Sequence, residues 1–155
     1  MDILINSLSV VNQMHDAHLI IIGEGAEKQI LKNLVKKLNL EENVHFSGFR
    51  DDVVQWMINS DIFVTASQVE GSPNSLIEAI CLGLPSIATD CPKEILNNGE
   101  LGILIPMDSE KLMIDAIRLL IGYEDLRMKF VNLSESAKSR YISERIVNLY
   151  LDAMN

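Results

Sequence analysis

The sequence is poor in the features that mark membrane, secreted and metal-binding proteins. Its only cysteines are Cys81 and Cys91, which are not at a spacing typical of a metal or redox site. No apolar run reaches the roughly 20 residues of a membrane-spanning helix. The stretch that follows Met1 lacks the basic segment of a signal peptide. We therefore expect a cytoplasmic protein with no membrane span.

Positive charge is also scarce. The formal net charge is −9, with 13 basic and 22 acidic residues. A surface of that sign disfavours nucleic acid and anionic membrane surfaces as main partners. It would also repel an anionic small ligand at long range, so such a ligand would have to be held by local dipoles.

What the sequence does contain is typical of one globular domain. Its 155 residues are 48% hydrophobic and 23% charged, which is enough apolar surface for a substantial core. We find no internal repeat, low-complexity tract or linker. The prediction is a single domain spanning residues 1–155.

Strand-like and helix-like segments alternate along the chain. Short apolar or β-branched runs predict five strands, at His18–Ile22, Val44–Phe46, Asp61–Thr65, Ser86–Thr89 and Gly102–Ile105. The first run is continuous, which is typical of a strand buried on both faces. Helices are predicted at residues 2–13, 26–38, 51–59, 73–82, 109–122, 124–139 and 143–154, with Asp51 and Ser109 as N-caps. Among the residues expected to point inward are Ile30, Ile58 and Leu112.

This alternation, with short glycine-containing loops, predicts an α/β fold: a Rossmann-like, doubly wound parallel sheet in three layers, α/β/α. Ligands of such sheets bind at the carboxyl ends of the strands. The loops expected at that edge are Gly23–Gly25, Gly48–Arg50, Ser67–Ser75 and Asp90–Glu94. The Gly23–Gly25 turn could contact a ligand, but a strand-to-helix turn also favours glycine by itself.

The loop at Ser67–Ser75 leads into the helix that carries the strongest functional signal. Pro73 suits the first helical position and Ser72 the N-cap, while Gly83 provides the stop. The unpaired N–H groups and the positive end of the helix dipole make this start a potential anion site. Because Glu70 and Glu78 flank it, the stretch suits a ligand that carries both phosphates and hydroxyls.

The motif around these acids resembles that of a known enzyme family. Seven residues separate Glu70 from Glu78, and an alanine, a Gly-Leu-Pro turn and a strand that ends in Thr89-Asp90 follow. This stretch is similar to the signature of family 4 glycosyltransferases. These are retaining enzymes with two Rossmann domains, the GT-B fold. Leu19–Gly25, Val44–Phe49 and Gly99–Pro106 match further landmarks in order. The resemblance is to the C-terminal, donor-binding half, especially of enzymes that build bacterial surface polysaccharides.

The resemblance implies a role for each matching residue. Glu70 would face the sugar of a nucleotide-diphosphate sugar and act in catalysis, and Glu78 would bind the ribose hydroxyls. Phe49 and Arg50 would border the base. The remaining residues with an implied donor-binding role are Gly23, Gly25, Gly71, Ser72, Asn74, Ser75 and Leu76. No metal or other cofactor is expected, and the acceptor would be bound by an N-terminal domain absent from these residues.

The sequence departs from the family pattern in ways that bear on activity. The chain begins just after the place of a basic Gly-Arg…Lys-Gly segment that follows the family's first strand. That strand would lie centrally, between the strands at Leu19–Ile22 and Asp61–Thr65. Three outcomes are open: the two strands pair directly, another copy of the chain supplies a strand, or an upstream segment of the polypeptide supplies it, which is the outcome we expect. The parent enzyme could act at the inner membrane face. The alternative function is a non-catalytic α/β nucleotide-sugar-binding or interaction module.

Overall fold

The computed structural model describes residues 1–66, 74–89 and 95–141. Strands and helices alternate in the predicted order. The strands are β1 (Leu19–Ile22), β2 (Val44–Gly48), β3 (Phe63–Thr65), β4 (Ser86–Thr89) and β5 (Ile103–Ile105). The α-helices are α1 (Asp2–Val11), α2 (Lys28–Lys37), α3 (Val53–Ile58), α4 (Asn74–Cys81), α5 (Glu110–Gly122) and α6 (Glu124–Tyr141). The predicted helix at 143–154 lies outside the described residues.

All described strand pairs are parallel, and helices cover both faces of the three-stranded sheet formed by β3, β4 and β5. β4 pairs with β3 on one side, with Val64 opposite Ile87, and with β5 on the other. Successive side chains of a strand point to opposite faces. Ile87 therefore joins a core cluster with α1 and α5, whereas Ala88 joins another with α4 and α6. This arrangement confirms the Rossmann-like α/β/α fold class.

The described strands form two separate parallel sheets. β1 pairs only with β2, and β3 pairs with β4 but not with β1. The expectation that β1 is buried on both faces was wrong, because Ile20 is 39% exposed and the other residues of β1 are half-buried. All four residues of β4, which has a neighbour on each side, are buried. The exposure of β1 follows from its unpaired edge.

Helix α1 spans the gap between the two sheets. Its residues Leu4 and Val11 pack in the same cluster as Ile87 and Ile105 of the three-stranded sheet. On the same helix, Ile5 and Leu8 pack with α2 and with Val44 of β2. The two sheets are therefore joined through apolar side chains of α1.

Three residues predicted to face the core instead lie at the surface. Ile30 is 68% exposed, Ile58 is 48% exposed and Leu112 is 41% exposed. Each is the sequence neighbour of a buried apolar residue on the same helix, and neighbours point about 100° apart around a helix. Only one residue of each pair can face the centre of the contact, so these predictions were wrong.

Within the described ranges, no helix is long and apolar enough to cross a membrane.

Candidate functional site

The carboxyl ends of both sheets lie at one edge of the molecule. Residues 1–3, at the start of α1, line a cleft with Ala66, Thr89 and Ile105, which end or directly follow β3, β4 and β5. From the far end of α1 the chain returns into β1, with Asn12 and Ala17 joined by two hydrogen bonds. β1 therefore runs back toward the edge where α1 began. This common edge is where ligands of parallel α/β sheets bind.

Helix α4 begins at this edge and is anchored in the core. Asn74 is exposed and Ser75 half-buried, while Leu76 has no exposed surface. At the other end, Gly83 has φ of +77° and donates its N–H to the Ile80 carbonyl oxygen, and Leu84 donates to Ala79. This bond pair is a Schellman cap. It confirms Gly83 as the helix stop, so α4 is held at both ends.

Glu78 lies inside α4 and is half-buried. The other acid of the motif, Glu70, lies outside the described residues, as do Gly71, Ser72 and the loop at Asp90–Glu94. The loop half of the anion site, with the first acid, therefore stays a prediction. The described residues include the start of the helix and the second acid, Glu78.

The loops after β1 and β2 are joined to each other. The Gly23 N–H donates to the Gly48 carbonyl oxygen over 2.8 Å. The Glu24 carboxylate lies against Gly48, at 2.8 Å from the position that a Cβ atom would occupy there, and it also accepts a 2.8 Å hydrogen bond from Lys28. Gly23 has φ of +119°, so its turn conformation accounts for glycine at that position. Gly25 has no positive φ and no close neighbour.

Phe49 and Arg50 follow β2 at the same edge. Phe49 is 82% exposed, the highest value among the large apolar side chains of the described residues. Arg50 donates to the Asp52 carboxylate from both Nε and Nη2, at 2.8 and 2.7 Å. That pairing raises the pKa of Arg50 and lowers the pKa of Asp52 through their hydrogen bonds. Trp56 also donates to Asp52, over 3.2 Å.

The prediction that Asp51 caps the next helix was wrong. Asp52 occupies the N-cap position of α3, and its side chain makes no capping hydrogen bond. The reason is competition: its carboxylate accepts from Arg50 and Trp56 instead. Sequence reasoning missed this role of Asp52, although its spacing from Trp56 is the i, i+4 spacing of helix neighbours.

Thr89 places a polar group beside the edge cleft. It is 8% exposed, and its hydroxyl oxygen is buried with no hydrogen-bond partner among the described residues. Asp108 and Ser109, which directly precede α5, line the same cleft. Burying a hydroxyl without a partner costs about 1–3 kcal/mol.

Neither thiol chemistry nor a metal cluster stands out in the described part of the chain. Cys81 is buried, and burial raises the pKa of its thiol, which keeps it protonated and poorly nucleophilic. No group of three or more histidine, cysteine, aspartate or glutamate side chains within the described ranges could hold a metal ion.

Solved structures share this fold over nearly the whole chain. A mutant of S. aureus TarM, in complex with fondaparinux, alpha-GlcNAc-glycerol and UDP, is 27% identical, with a TM-score of 0.83 over 99% of this chain and 32% of its own. The C-terminal domain of a glycosyl transferase group 1 family protein, LpcC, from Francisella tularensis is 25% identical. Its TM-score is 0.79 over 90% of this chain and 77% of its own.

Sequence comparison also finds glycosyltransferases. The N-acetylgalactosamine-N,N'-diacetylbacillosaminyl-diphospho-undecaprenol 4-alpha-N-acetylgalactosaminyltransferase of Campylobacter jejuni is 32% identical over 90% of this chain and 38% of its own. The chain spans about two fifths of such curated relatives, from 38% to 41%. The family described as "Glycosyl transferases group 1" matches residues 1–122. The resemblance of the acidic motif is thereby confirmed, and the chain belongs to the group 1 glycosyl transferases.

Proposed function

We propose that this chain is the donor-binding half of a retaining glycosyltransferase of bacterial surface polysaccharide synthesis. The enzyme transfers a sugar, of the hexose type, from a nucleotide-diphosphate sugar to an acceptor. The observation that carries the proposal is the start of α4, which lies at the carboxyl edge with Glu78 inside the helix. Family membership supports transfer chemistry, and the presence of UDP in the TarM crystal supports a nucleotide donor.

The proposed chemistry follows from the charges at that helix start. Departure of the diphosphate concentrates negative charge on its oxygens, and a helix N-terminus stabilises such charge with N–H groups and its dipole. The backbone of Gly71 and of Asn74–Leu76 contacts the sugar and the diphosphate. Glu78 accepts hydrogen bonds from the ribose hydroxyls, as carboxylates do from vicinal hydroxyls. Glu70 faces the sugar ring and acts as the bond to the diphosphate breaks.

The adjoining loops complete the donor site in this proposal. Gly23 and Gly25 contact the donor, and Phe49 and Arg50 border the base. The hydrogen bond between Gly23 and Gly48 supports this grouping, because it holds the loops after β1 and β2 together. The proposed reaction requires no divalent metal, since the helix start takes the role of neutralising the diphosphate.

The acceptor site and a central strand belong to polypeptide outside the 155 residues. Among the described strands, β1 and β3 each have one edge without a partner, and α1 bridges the two sheets. These edges support one further parallel strand between β1 and β3. The chain's coverage of its relatives, about two fifths, supports a separate acceptor-binding domain. We therefore expect no transfer by residues 1–155 alone. We further propose that the full-length enzyme is cytoplasmic, and it could act at the inner membrane face.

The test is a thermal-shift screen of the full-length protein against a panel of nucleotide sugars. At least one should raise the melting temperature, because a ligand that binds only the folded state stabilises it. Release of the nucleotide diphosphate in the presence of lipid-linked sugar acceptors would then measure transfer. Stabilisation without release under any acceptor would favour the non-catalytic binding module. No shift with any nucleotide sugar would overturn the proposal.

A further inference from the structure

Arg50 is held in a fixed orientation by a carboxylate two residues away. Asp52 accepts from the guanidinium Nε and Nη2 through its two oxygens, at 2.8 and 2.7 Å. Two parallel, charge-assisted hydrogen bonds of this kind fix the plane of the guanidinium as well as its position. The side chains are 39% and 40% exposed, so the pair lies at the surface and is open to a ligand.

Trp56 supports the same arrangement from α3. Its Nε1 donates to Asp52 over 3.2 Å, and the Arg50 guanidinium carbon lies 5.4 Å from the centroid of the Trp56 ring. A guanidinium at this distance from an aromatic face is attracted by the ring quadrupole. Because Asp52 and Trp56 are one helical turn apart, α3 positions both partners of Arg50 together.

This arrangement determines what Arg50 can still do. Within the described part of the chain, its hydrogen bonds use Nε and Nη2, and the two N–H groups of Nη1 remain available. The Asp52 carboxylate also compensates the positive charge. A compensated guanidinium donates hydrogen bonds but attracts a phosphate only weakly, so it suits a neutral acceptor such as a carbonyl oxygen.

The neighbouring side chain points to the kind of molecule that carries this carbonyl. Phe49 exposes 82% of its surface directly beside Arg50, at the carboxyl end of β2. An exposed aromatic face is a stacking surface for a flat ring. Uracil, thymine, cytosine and guanine are flat rings that carry at least one carbonyl oxygen. Adenine is flat but carries no carbonyl group.

We propose that Asp52 is a positioning residue that selects the base of the donor nucleotide. It directs Nη1 of Arg50 toward a carbonyl oxygen of the base and removes the charge that would otherwise draw Arg50 to phosphate. Nucleotides with a carbonyl-bearing base are therefore preferred over adenine nucleotides. This inference rests on the proposed function, because it assigns specificity within the same donor site.

The experiment is calorimetric titration of the intact protein that contains these residues, with UDP, dTDP, CDP, GDP, ADP and inorganic pyrophosphate. At least one nucleotide with a carbonyl-bearing base should bind to the wild type about tenfold more tightly than ADP, the value of one well-made hydrogen bond. Asp52→Asn should lose most of that preference and bind pyrophosphate as well as before or better. The matched control is Asp51→Asn, at the exposed neighbouring position, which should keep the preference.

A second variant separates base selection from a general change in the loop. Arg50→Lys keeps the charge but not the planar fork, so it should also lose the preference for the carbonyl-bearing base over adenine. In Asp52→Asn, equal loss of binding for that preferred nucleotide and for pyrophosphate would overturn the inference, because it would show a general structural role. Wild-type binding of ADP as tightly as each of the other nucleotides would also overturn it. Failure of the wild type to bind any of the nucleotides would instead contradict the proposed function, and the inference with it.

Discussion

The backbone N–H of Gly23 donates a 2.8 Å hydrogen bond to the carbonyl oxygen of Gly48, across the ends of two neighbouring strands. Glu24 adds a second contact between the same loops: its carboxylate lies against Gly48 and also accepts a hydrogen bond from Lys28. Two loops that are separated by a helix in the sequence are therefore coupled at the ligand edge. We expect a substitution in one of these loops to alter the conformation of the other.

Substitution of Gly48 by alanine tests this coupling. Gly48 has φ of +72°, and an added Cβ would lie 2.8 Å from the Glu24 carboxylate. A left-handed conformation costs an ordinary residue about 1–2 kcal/mol, so we expect the free energy of unfolding in urea to fall by that amount. Gly25→Ala is the control, because no atom lies within 4 Å of its Cβ position. Equal destabilisation by both variants would contradict the prediction.

Glu78→Ala should weaken donor binding. If the carboxylate accepts from the ribose hydroxyls, its removal should cost about 1.5–3 kcal/mol of binding free energy. Calorimetry with the nucleoside diphosphate on the full-length protein measures this. Glu110→Ala, in the first turn of α5, is the matched control and should bind normally. An unchanged affinity in Glu78→Ala would remove Glu78 from the proposed donor site.

Glu70→Gln should affect chemistry more than binding. If Glu70 interacts with the sugar mainly as the bond breaks, kcat should fall by a factor of about 10²–10³, with a smaller rise in the donor KM. Steady-state kinetics of the full-length enzyme would show the separation. Glu78→Ala provides the comparison, since it should mainly raise KM. A rise in KM alone for Glu70→Gln would mean that Glu70 contacts only the ground state.

The ion pair of Arg50 and Asp52 predicts the pH dependence of stability. The hydrogen bonds from Arg50 lower the pKa of Asp52 in the folded state below the value of about 3.9 typical of an unfolded chain. The ionised Asp52 carboxylate therefore makes its full contribution to the free energy of unfolding at pH values above the unfolded-chain pKa. This contribution is lost as the pH falls through the lowered pKa of the folded state. The pKa of Arg50 is raised, so its own contribution would be lost only at strongly alkaline pH.

The measurement is urea unfolding of the wild type and of Asp52→Asn between pH 3 and 7, a range set by the usual titration of aspartate, about 3.9. The stability difference between the two proteins should stay constant near neutrality and shrink below pH of about 4. Asp51→Asn is the control for loss of a carboxylate at the neighbouring position, because Arg50 donates its hydrogen bonds to Asp52. A difference that grows as the pH falls would contradict the assignment.

Much of the fold follows from local sequence patterns. The run at Leu19–Ile22, the β-branched stretch at Ser86–Thr89 and the glycine at Gly83 predict two strands and a helix end that the structure contains. These signals are local, because strand and helix periodicity and glycine dihedrals depend on neighbouring residues. The family motif is also local, since Glu70 to Asp90 is one continuous stretch of sequence.

Local patterns did not decide which of two adjacent apolar residues faces the core. Met57 and Met113 are buried, whereas their neighbours Ile58 and Leu112 are exposed. Hydrophobicity alone does not distinguish such neighbours. Their orientation depends on where the next layer of the structure lies, which is set by contacts distant in sequence.

The α/β class, the order of elements and the motif by which the family is recognised all follow from the amino-acid sequence. The division of the described strands into two sheets and the exposure of Ile20 at the edge of β1 became visible in the folded chain. The folded chain also shows that Asp52 binds Arg50 instead of capping α3. The physical reason is competition: a strand edge or a carboxylate has several possible partners, and the fold determines which of them come within reach.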